Sequence, residues 1–362
     1  MLNILSYFSL GTARGPSKVV LNLIKGLDKI RYPYVVNKDV HPCSFVYVPN
    51  SAWVLPALRN LPDSVHFVIG PHLFPSPSDI PFYLRNLIRK VECFLHPSAW
   101  VMDRWERLGY SLSPMRVWPV GIDTDSFAPA GAAEKKEVLI YHKMRSAREL
   151  RSIQDELDRN RIRYRVLEYG KYTEGEYRAI LAKTSFVIWH GVRETQGIAM
   201  QEAMSCNVPV LVCNEVAFRS PQVSKTPKTQ KMRGGPDRTG ESVPVAPYFD
   251  RRCGIIADRM DDIGEAVREM MDLYPQFEPR EFILENFSLE ERARELLGLF
   301  PGAFTEFTDA KKRTSRVPSV LPGRMDALSD FRFPLAWKAL FAIRARFRRL
   351  FRFPFLSATS RG

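Results

Sequence analysis

The chain has 362 residues, enough for two domains that each bury their own core. Its formal net charge is +13, but residues 311–362 hold 13 Lys or Arg and 2 Asp or Glu, which leaves +2 for the other 310 residues. No apolar run reaches membrane-spanning length, and the five cysteines lack paired metal-ligand spacing. We therefore expect a cytoplasmic protein, peripheral on the inner face of the membrane, that contains no metal and no cofactor.

The N-terminal half alternates apolar strands with helices. Leu2–Phe8 is predicted as a buried strand, and Pro16 opens a helix with one apolar stripe. Further strands are predicted at Phe45–Val48, Val65–Ile69 and Val91–Leu95, and helices near 53–60, 80–90 and 97–109. Such alternation predicts a parallel sheet, in which ligands lie at the carboxyl ends of the strands.

Two positions after strands in this half are candidates for a site. Arg14 and Gly15 lie in the turn after the first strand, where a tight structural turn and a ligand loop fit equally well. His72 follows the strand that ends at Ile69, although a single histidine in such a place is more often structural.

The segment from Trp118 to Pro129 ends this half, and a small, charged stretch at 131–137 is predicted as a hinge. Asp123 and Asp125 form an acid-x-acid pair, but without a strand context we predict no metal there. The predicted domains are 1–128 and 129–300, followed by a tail at 301–362.

The C-terminal half repeats the alternation. Strands are predicted at Val138–Tyr141, Arg165–Gly170, Phe186–Trp189 and Cys253–Ala257, and helices at Ala147–Asn160, Tyr177–Ala182, Met260–Leu273, Arg280–Glu285 and Leu289–Leu299. Lys143 and Arg145 follow the first of these strands, where two cations fit either an anion site or a solvated loop. The long basic segment 220–244 is predicted as a flap or as disordered.

A turn, a short helix and a buried strand follow at 194–214. Gly197 leaves the first turn of the helix without a side-chain cap, and a bare helix N-terminus attracts anions. Glu194 precedes that terminus, and Glu202 lies about two turns beyond it. Ionised carboxylates only accept hydrogen bonds, so they suit hydroxyl groups. A nucleotide sugar carries both phosphates and hydroxyls, but an ordinary helix with two solvated glutamates remains an alternative.

The same segment resembles the signature of a large retaining glycosyltransferase family, glycosyl transferases group 1. The resemblance rests on the order Glu194, Gly197, Glu202, Ala203, Met204, Pro209, Val210. Asn207 departs from it, because the family usually has Gly there; Asn tolerates the left-handed conformation that this helix end needs. The resemblance implies an α/β protein with the GT-B fold, two Rossmann-like parallel-sheet domains that face a cleft.

The resemblance also implies roles for individual residues. Glu202 would bind the ribose hydroxyls of the donor and Glu194 its sugar, while Lys143 and Arg145 would face the diphosphate. The family's basic pair is spaced more widely than these two residues are, which leaves the assignment of Lys143 and Arg145 open by a helical turn.

The resemblance implies further donor contacts from the start of the helix at Gly197 and from the turn after the first strand. The amides of Gly197 and Ile198 would bind the diphosphate, and the turn with Arg14 and Gly15 would approach the donor phosphates or the acceptor. His72 would lie close to the family's active-site histidine.

The implied reaction is transfer from a UDP- or GDP-sugar to a hydroxyl of a glycan or lipid-linked acceptor, with retention of the anomeric configuration. The alternative is a catalytically inactive GT-B-like scaffold on the membrane.

Residues 331–356 are basic and aromatic, and on a helix they separate into an apolar and a cationic face. This pattern is typical of a helix that lies on an anionic membrane surface, and we predict that partner rather than nucleic acid, whose binding would be strongly salt-dependent. Packing of this helix onto the N-terminal domain is the other alternative.

Overall fold

The computed structural model describes residues 1–6, 15–38, 40, 45–59, 63–131, 137–214 and 244–303. These residues form two sheets, one after the other along the chain, and both sheets are parallel throughout the described residues. The loop at 220–244, all but its last residue, and the tail at 331–356 lie outside the described residues, as do Arg14 and most of the predicted hinge.

The first sheet has the strand order β2-β1-β3-β4-β5-β6. Its strands are β1 (Leu2–Ile4), β2 (Tyr34–Val36), β3 (Phe45–Val48), β4 (His66–Ile69), β5 (Cys93–His96) and β6 (Met115–Val117). Its α-helices are α1 (Gly15–Lys29), α2 (Arg85–Ile88) and α3 (Ala99–Arg107), and 3-10 helices lie at Ala52–Leu58, Pro77–Asp79 and Phe82–Leu84. The residues of β1, β3 and β5 are all buried, as expected for a parallel sheet covered on both faces.

The second sheet has the strand order β11-β10-β9-β7-β8. Its strands are β7 (Glu137–Lys143), β8 (Tyr164–Glu168), β9 (Thr184–Gly191), β10 (Val210–Cys213) and β11 (Gly254–Ala257). Its helices are α4 (Ala147–Arg159), α5 (Glu174–Leu181), α6 (Ile198–Ser205), α7 (Ile263–Leu273) and α8 (Pro279–Asn286). 3-10 turns at Met260–Asp262 and Tyr274–Gln276 flank α7.

Strand order determines where each sheet opens. In the first sheet β1 lies between β2 and β3, and in the second sheet β7 lies between β8 and β9. In each sheet the chain therefore passes from the central strand to a neighbour on one side and then crosses to a neighbour on the other side. Such a switch point leaves a crevice at the carboxyl ends of the strands. The start of α1 lies at the first switch point, and the loop from β9 to α6 lies at the second.

We call the units built around the first and the second sheet the first and the second lobe. At its described end the chain returns to the first lobe. Helix α9 (Leu289–Leu297) packs against α1, and its Ala293, Leu296 and Leu297 belong to the same apolar core as β1 and α1. Gly26 allows this approach, because a Cβ at that position would collide with the carbonyl oxygen of Leu289. The last described helix thus follows the second lobe in the chain and packs into the core of the first, which holds the two lobes together.

The element predictions agree with the structure in type and order, with strand and helix ends shifted by a few residues. The short strands β2 and β6 were not predicted. Asn207 has φ 52°, which confirms the predicted left-handed conformation after α6. Within the described residues, no helix has both the length and the apolar character needed to cross a membrane.

Candidate active site

A cavity lies between the two lobes, at the carboxyl ends of both sheets. It has a volume of about 200 Å³. Side chains and loops of both lobes line it: Gly15, Pro16, Lys18 and His72 from the first, and Tyr141, Lys143, Tyr169, Tyr172, Glu174, Tyr177, Trp189, Glu194, Thr195, Gln196, Gly197, Ile198, Ala199 and Glu202 from the second. Pockets that hold a whole small-molecule ligand are usually ~300–1,000 Å³, so this cavity is smaller than a typical ligand pocket.

Lys143 and Glu194 form a partly buried ion pair at the cavity wall. Lys143 is the last residue of β7, and its Nζ donates to Oε1 and Oε2 of Glu194 at 2.7 and 2.8 Å. The same ammonium lies 4.7 Å from the centre of the Tyr169 ring. Burial raises the pKa of Glu194, and the nearby charge of Lys143 opposes that shift. The Lys143 ammonium thus favours the ionised form of Glu194, against the larger effect of burial.

Glu202 is paired with a lysine from the other lobe. Lys18, in the first turn of α1, donates to Oε1 of Glu202 and lies 2.6 Å from Oε2 of Glu174. The Lys18 and Glu202 side chains are only 7% and 5% exposed, whereas Glu174 is 36% exposed. Burial raises the pKa of Glu202 to about 7, although the charge of Lys18 opposes the shift. Glu202 therefore titrates near neutral pH.

The N-terminus of α6 opens into the cavity between the two glutamates. Gly197 holds the position before the helix with φ 86° and ψ 40°, and no side chain caps the helix. Ile198 packs against the apolar cores of both lobes. The preceding loop is held by the first lobe, because Trp100 Nε1 donates to the Glu194 carbonyl at 3.0 Å. This clamp fixes the helix end relative to both sheets.

Gln196 provides a second clamp in the same loop. Its Nε2 donates to the carbonyl of Val120 at 2.8 Å, and its Oε1 accepts from the amide of Val120 at 3.1 Å. Nε2 also donates to Oε1 of Gln201 in α6 at 2.9 Å. An amide side chain that both donates and accepts can pair with a backbone in this way, so the loop before α6 is tied to the segment that joins the lobes.

Aromatic rings form one wall of the cavity. Tyr141 and Trp189 are stacked, with centroids 4.1 Å apart and an interplanar angle of 6°. The hydroxyls of Tyr141 and Tyr172 are 2.6 Å apart, and Tyr177 donates to the carbonyl of Ala199 at 2.7 Å. Stacked, hydrogen-bonded rings have little rotational freedom, so this wall of the cavity is rigid.

His72 and Gly15 reach the cavity from the first lobe. Burial lowers the pKa of His72 to about 4, so its imidazole is neutral at pH 7 and can donate or accept a hydrogen bond. Gly15 begins α1 and has no neighbouring atom within 4 Å of the place where a Cβ would be. Its position therefore does not depend on the absence of a side chain.

Arg145 does not line the cavity, unlike the other described candidates. Its Nε donates to the carbonyl of Gly191 at 2.8 Å, Nη2 donates to the carbonyl of Cys213, and the side chain is only 2% exposed. Met144 between the two cations has φ 61°, so the chain leaves the strand conformation immediately after Lys143. The alternation of side chains along β7 does not extend to Arg145, and its guanidinium joins the ends of β9 and β10 instead.

Both aspartates of the acid-x-acid pair make ion pairs with α1. Asp123 accepts from Lys25 Nζ at 2.5 Å and from the amide of Ser126 at 3.0 Å, and Asp125 lies 2.9 Å from Lys29 Nζ. Burial alone would raise the pKa of Asp123, but the bonds from Lys25 and Ser126 hold it at about 2. These carboxylates hold the interlobe segment against the first lobe.

Sequence reasoning missed several lining residues. Lys18 lies on α1 and Glu174 on α5, and no motif connects them, because their meeting depends on how the lobes face each other. Gln196 was within the recognised segment but not singled out, although a polar residue between Glu194 and Gly197 is a usable signal. The tyrosines of α5 and its approach, Tyr172 and Tyr177, carried no signal beyond apolar spacing.

No family model matches the sequence, and no curated protein matches it. Solved structures are similar in fold. The catalytic domain of starch synthase IV from Arabidopsis thaliana, bound to ADP and acarbose, has a TM-score of 0.53 at 12% identity over 84% of this chain and 99% of that chain. Sucrose-phosphate synthase from Thermosynechococcus elongatus has a TM-score of 0.52 at 13% identity over 85% and 99%.

A third similar structure is a mutant of S. aureus TarM in complex with fondaparinux, alpha-GlcNAc-glycerol and UDP. Its TM-score is 0.50 at 13% identity, over 78% of this chain, which spans 59% of the TarM chain. Together with the two parallel sheets that face a common cavity, these likenesses show that the chain has the GT-B fold.

Proposed function

We propose that this protein is a glycosyltransferase that moves a sugar from a nucleoside diphosphate sugar to a hydroxyl of a glycan or lipid-linked acceptor. One observation carries the proposal: Glu194, Glu202, Lys143 and the N-terminus of α6 share a cavity between the carboxyl ends of two parallel sheets. The GT-B neighbours support it, because the starch synthase IV domain is bound to ADP and TarM to UDP.

The donor would be held by complementary polar groups. Its diphosphate accepts hydrogen bonds, so it suits the Gly197 and Ile198 amides and the Lys143 ammonium, which only donate. Its hydroxyls can donate, so they suit the carboxylates of Glu194 and Glu202. We assign the donor sugar to Glu194 and the ribose to Glu202, and the aromatic wall of Tyr141 and Trp189 to the face of a ring.

The proposed reaction keeps the anomeric configuration. The bond from the anomeric carbon to the diphosphate oxygen breaks, and the acceptor oxygen forms a bond to the same face of that carbon. The acceptor proton passes to the departing phosphate oxygen. Negative charge grows on that oxygen in the transition state, and Lys143 with the α6 amides would stabilise it. His72, which is neutral, would hydrogen-bond the sugar from the opposite lobe.

A panel of UDP-, GDP- and ADP-sugars tests the proposal. The donor should raise the melting temperature of the full chain, because a ligand that binds only the folded state stabilises it. Turnover of that donor to the free nucleoside diphosphate should follow, and NMR of the product should show the anomer of the donor. Lys171→Met, a change at an exposed lysine that does not line the cavity, is the control. Absence of both binding and turnover across the panel would refute the proposal.

Residues 331–356 are proposed to bind an anionic membrane surface. Each cation close to such a surface contributes about 1 kcal/mol, and this segment contains seven Lys or Arg between Arg332 and Arg352. The full chain should sediment with vesicles that contain anionic lipid and not with neutral vesicles. Replacing Arg346, Arg348 and Arg349 by Glu should abolish sedimentation. Equal sedimentation with both lipids, or tighter binding to duplex DNA, would contradict the proposal.

A further inference from the structure

A diphosphate site needs cations, and the described cavity lining contains two lysines and three glutamates. The lysines are Lys18 and Lys143, and the glutamates are Glu174, Glu194 and Glu202. Arg145, which the sequence pairs with Lys143, donates to backbone carbonyls outside the cavity. Within the described lining, Lys18 is therefore the candidate for a second cation that contacts the donor diphosphate beside Lys143.

Lys18 enters the cavity from the lobe opposite to Lys143. It lies in the first turn of α1, three residues after Gly15, and its ammonium reaches Glu202 in α6 and Glu174 in α5. The ammonium also lies 5.0 Å from the centre of the Phe127 ring. A cation that is buried against a ring and two carboxylates is largely shielded from water. Its charge therefore acts more strongly there than it would on the surface.

We propose that Lys18 is the second cation of the donor site and that it exchanges its two glutamates for diphosphate oxygens when the donor binds. This inference rests on the proposed function. The exchange leaves both buried groups paired: the Lys18 ammonium donates to the diphosphate, while the freed carboxylate of Glu202 accepts from the ribose hydroxyls. Glu174, whose side chain is 36% exposed, is hydrated by solvent instead. Lys18 therefore joins the first lobe to the donor that the second lobe binds.

The same exchange explains why the cavity can be acidic and still take an anion. Each lysine is neutralised by at least one glutamate, so neither charge is buried without a partner. A ligand that brings both acceptors and donors can replace these pairs, whereas a ligand with phosphates alone would leave Glu202 without a hydrogen-bond donor. The site therefore favours nucleotide sugars and nucleotides over inorganic anions.

Calorimetric titration of the full chain tests the role of Lys18. UDP, GDP and ADP are titrated first, and then uridine, guanosine and adenosine. Lys18→Met should weaken binding of the nucleoside diphosphate about tenfold or more, since a hydrogen bond to a charged group is lost. Binding of the matching nucleoside should be unchanged or tighter, because Glu202 has lost its competitor. Lys18→Arg should restore most of the diphosphate affinity.

Lys25→Met is the matched control. Lys25 lies two turns further along α1 and also makes an ion pair, with Asp123, but it does not line the cavity. This variant should bind both ligands as the unchanged chain does. The double variant Lys18→Met/Glu202→Gln removes both charges of the pair and serves if the single variant does not fold. It should keep weak diphosphate binding.

Two results would overturn the inference while the proposed function stands. One is diphosphate affinity that is the same in Lys18→Met and the unchanged chain. The other is an equal loss of nucleoside and diphosphate affinity, which would mean that Lys18 only holds Glu202 in place. If the unchanged chain binds no nucleotide at all, the proposed function itself fails, and the inference fails with it.

Discussion

The cavity contains two lysine–glutamate centres that differ in origin. Lys143 and Glu194 both belong to the second lobe, at the end of β7 and in the loop before α6. Lys18 belongs to the first lobe, and its partner Glu202 to the second. The first centre depends on the topology of one sheet, whereas the second exists only while the lobes face each other. A donor that contacts both therefore binds to the assembled pair of lobes.

The largest expected effect is at the centre within one lobe. Lys143→Met removes a charge that we propose acts on the departing phosphate, so kcat should fall by about 10²–10³, which is the cost of losing one such donor. Donor affinity should change much less. Steady-state kinetics separate the two quantities. A large rise in KM with kcat unchanged would show that Lys143 binds substrate and transition state equally.

Arg145 sharpens the comparison, because it neighbours Lys143 in sequence but not in the cavity. Arg145→Met should lower the free energy of unfolding by about 1.5–3 kcal/mol, since its charged hydrogen bonds to buried carbonyls are lost. Its kcat per folded molecule should stay close to that of the unchanged chain. Denaturant unfolding and kinetics at a temperature where the variant is folded test this. A fall in kcat as large as that of Lys143→Met would show that Arg145 acts in the active site after all.

The centre between the lobes should respond to pH. The pKa of Glu202 is raised to about 7, and its ionised form is the stronger acceptor for ribose hydroxyls, because both oxygens then accept. Donor affinity should therefore be greatest well above pH 7, and at pH 6 it should be lower than that maximum by up to about tenfold. Glu202→Gln should bind more weakly at pH 8 and lose this dependence. An unaltered pH profile in that variant would assign the titration to another group.

The smallest effect concerns the end of α6, the helix that carries Glu202. Asn207 has φ 52°, and its Oδ1 accepts from the amide of Arg280 at 3.3 Å. Asn207→Ala should destabilise the chain by about 1–2 kcal/mol, because alanine loses that bond and lacks the polar side chain that makes the left-handed conformation tolerable. Asn207→Gly also loses the bond from Arg280 but adopts the left-handed conformation without strain, so it should be less destabilised than Asn207→Ala, by about 1 kcal/mol or less. Thermal unfolding distinguishes the two variants. Equal stability of both would show that this helix end tolerates any residue.

Much of the second lobe could be predicted from the sequence because its signals are local. The apolar spacing of α6, the glycine before it and the left-handed residue after it lie within ten positions, so periodicity and turn chemistry define the element. Lys143 at a strand end follows from the same reasoning. The position of Arg145 outside the cavity could not be predicted in this way, because one left-handed residue, Met144, redirects the chain and ends the alternation of side chains.

The strands β2 and β6 show a different reason for failure. Each is three residues long, partly exposed, and hydrogen-bonded at an edge of the first sheet. A short edge strand has little apolar alternation, so its conformation comes from its neighbour rather than from its own residues. The sequence gives no periodic pattern long enough to mark such segments.

The amino-acid sequence by itself determined the two α/β repeats, the order of their elements and the glutamates on either side of the α6 N-terminus, because each depends on periodicity and spacing within one segment. Only the tertiary structure decided that Lys18 and Glu174 join Glu202, that Arg145 stays outside and that α9 returns to α1. Those contacts join residues far apart in sequence, and their geometry is determined by how the two lobes pack.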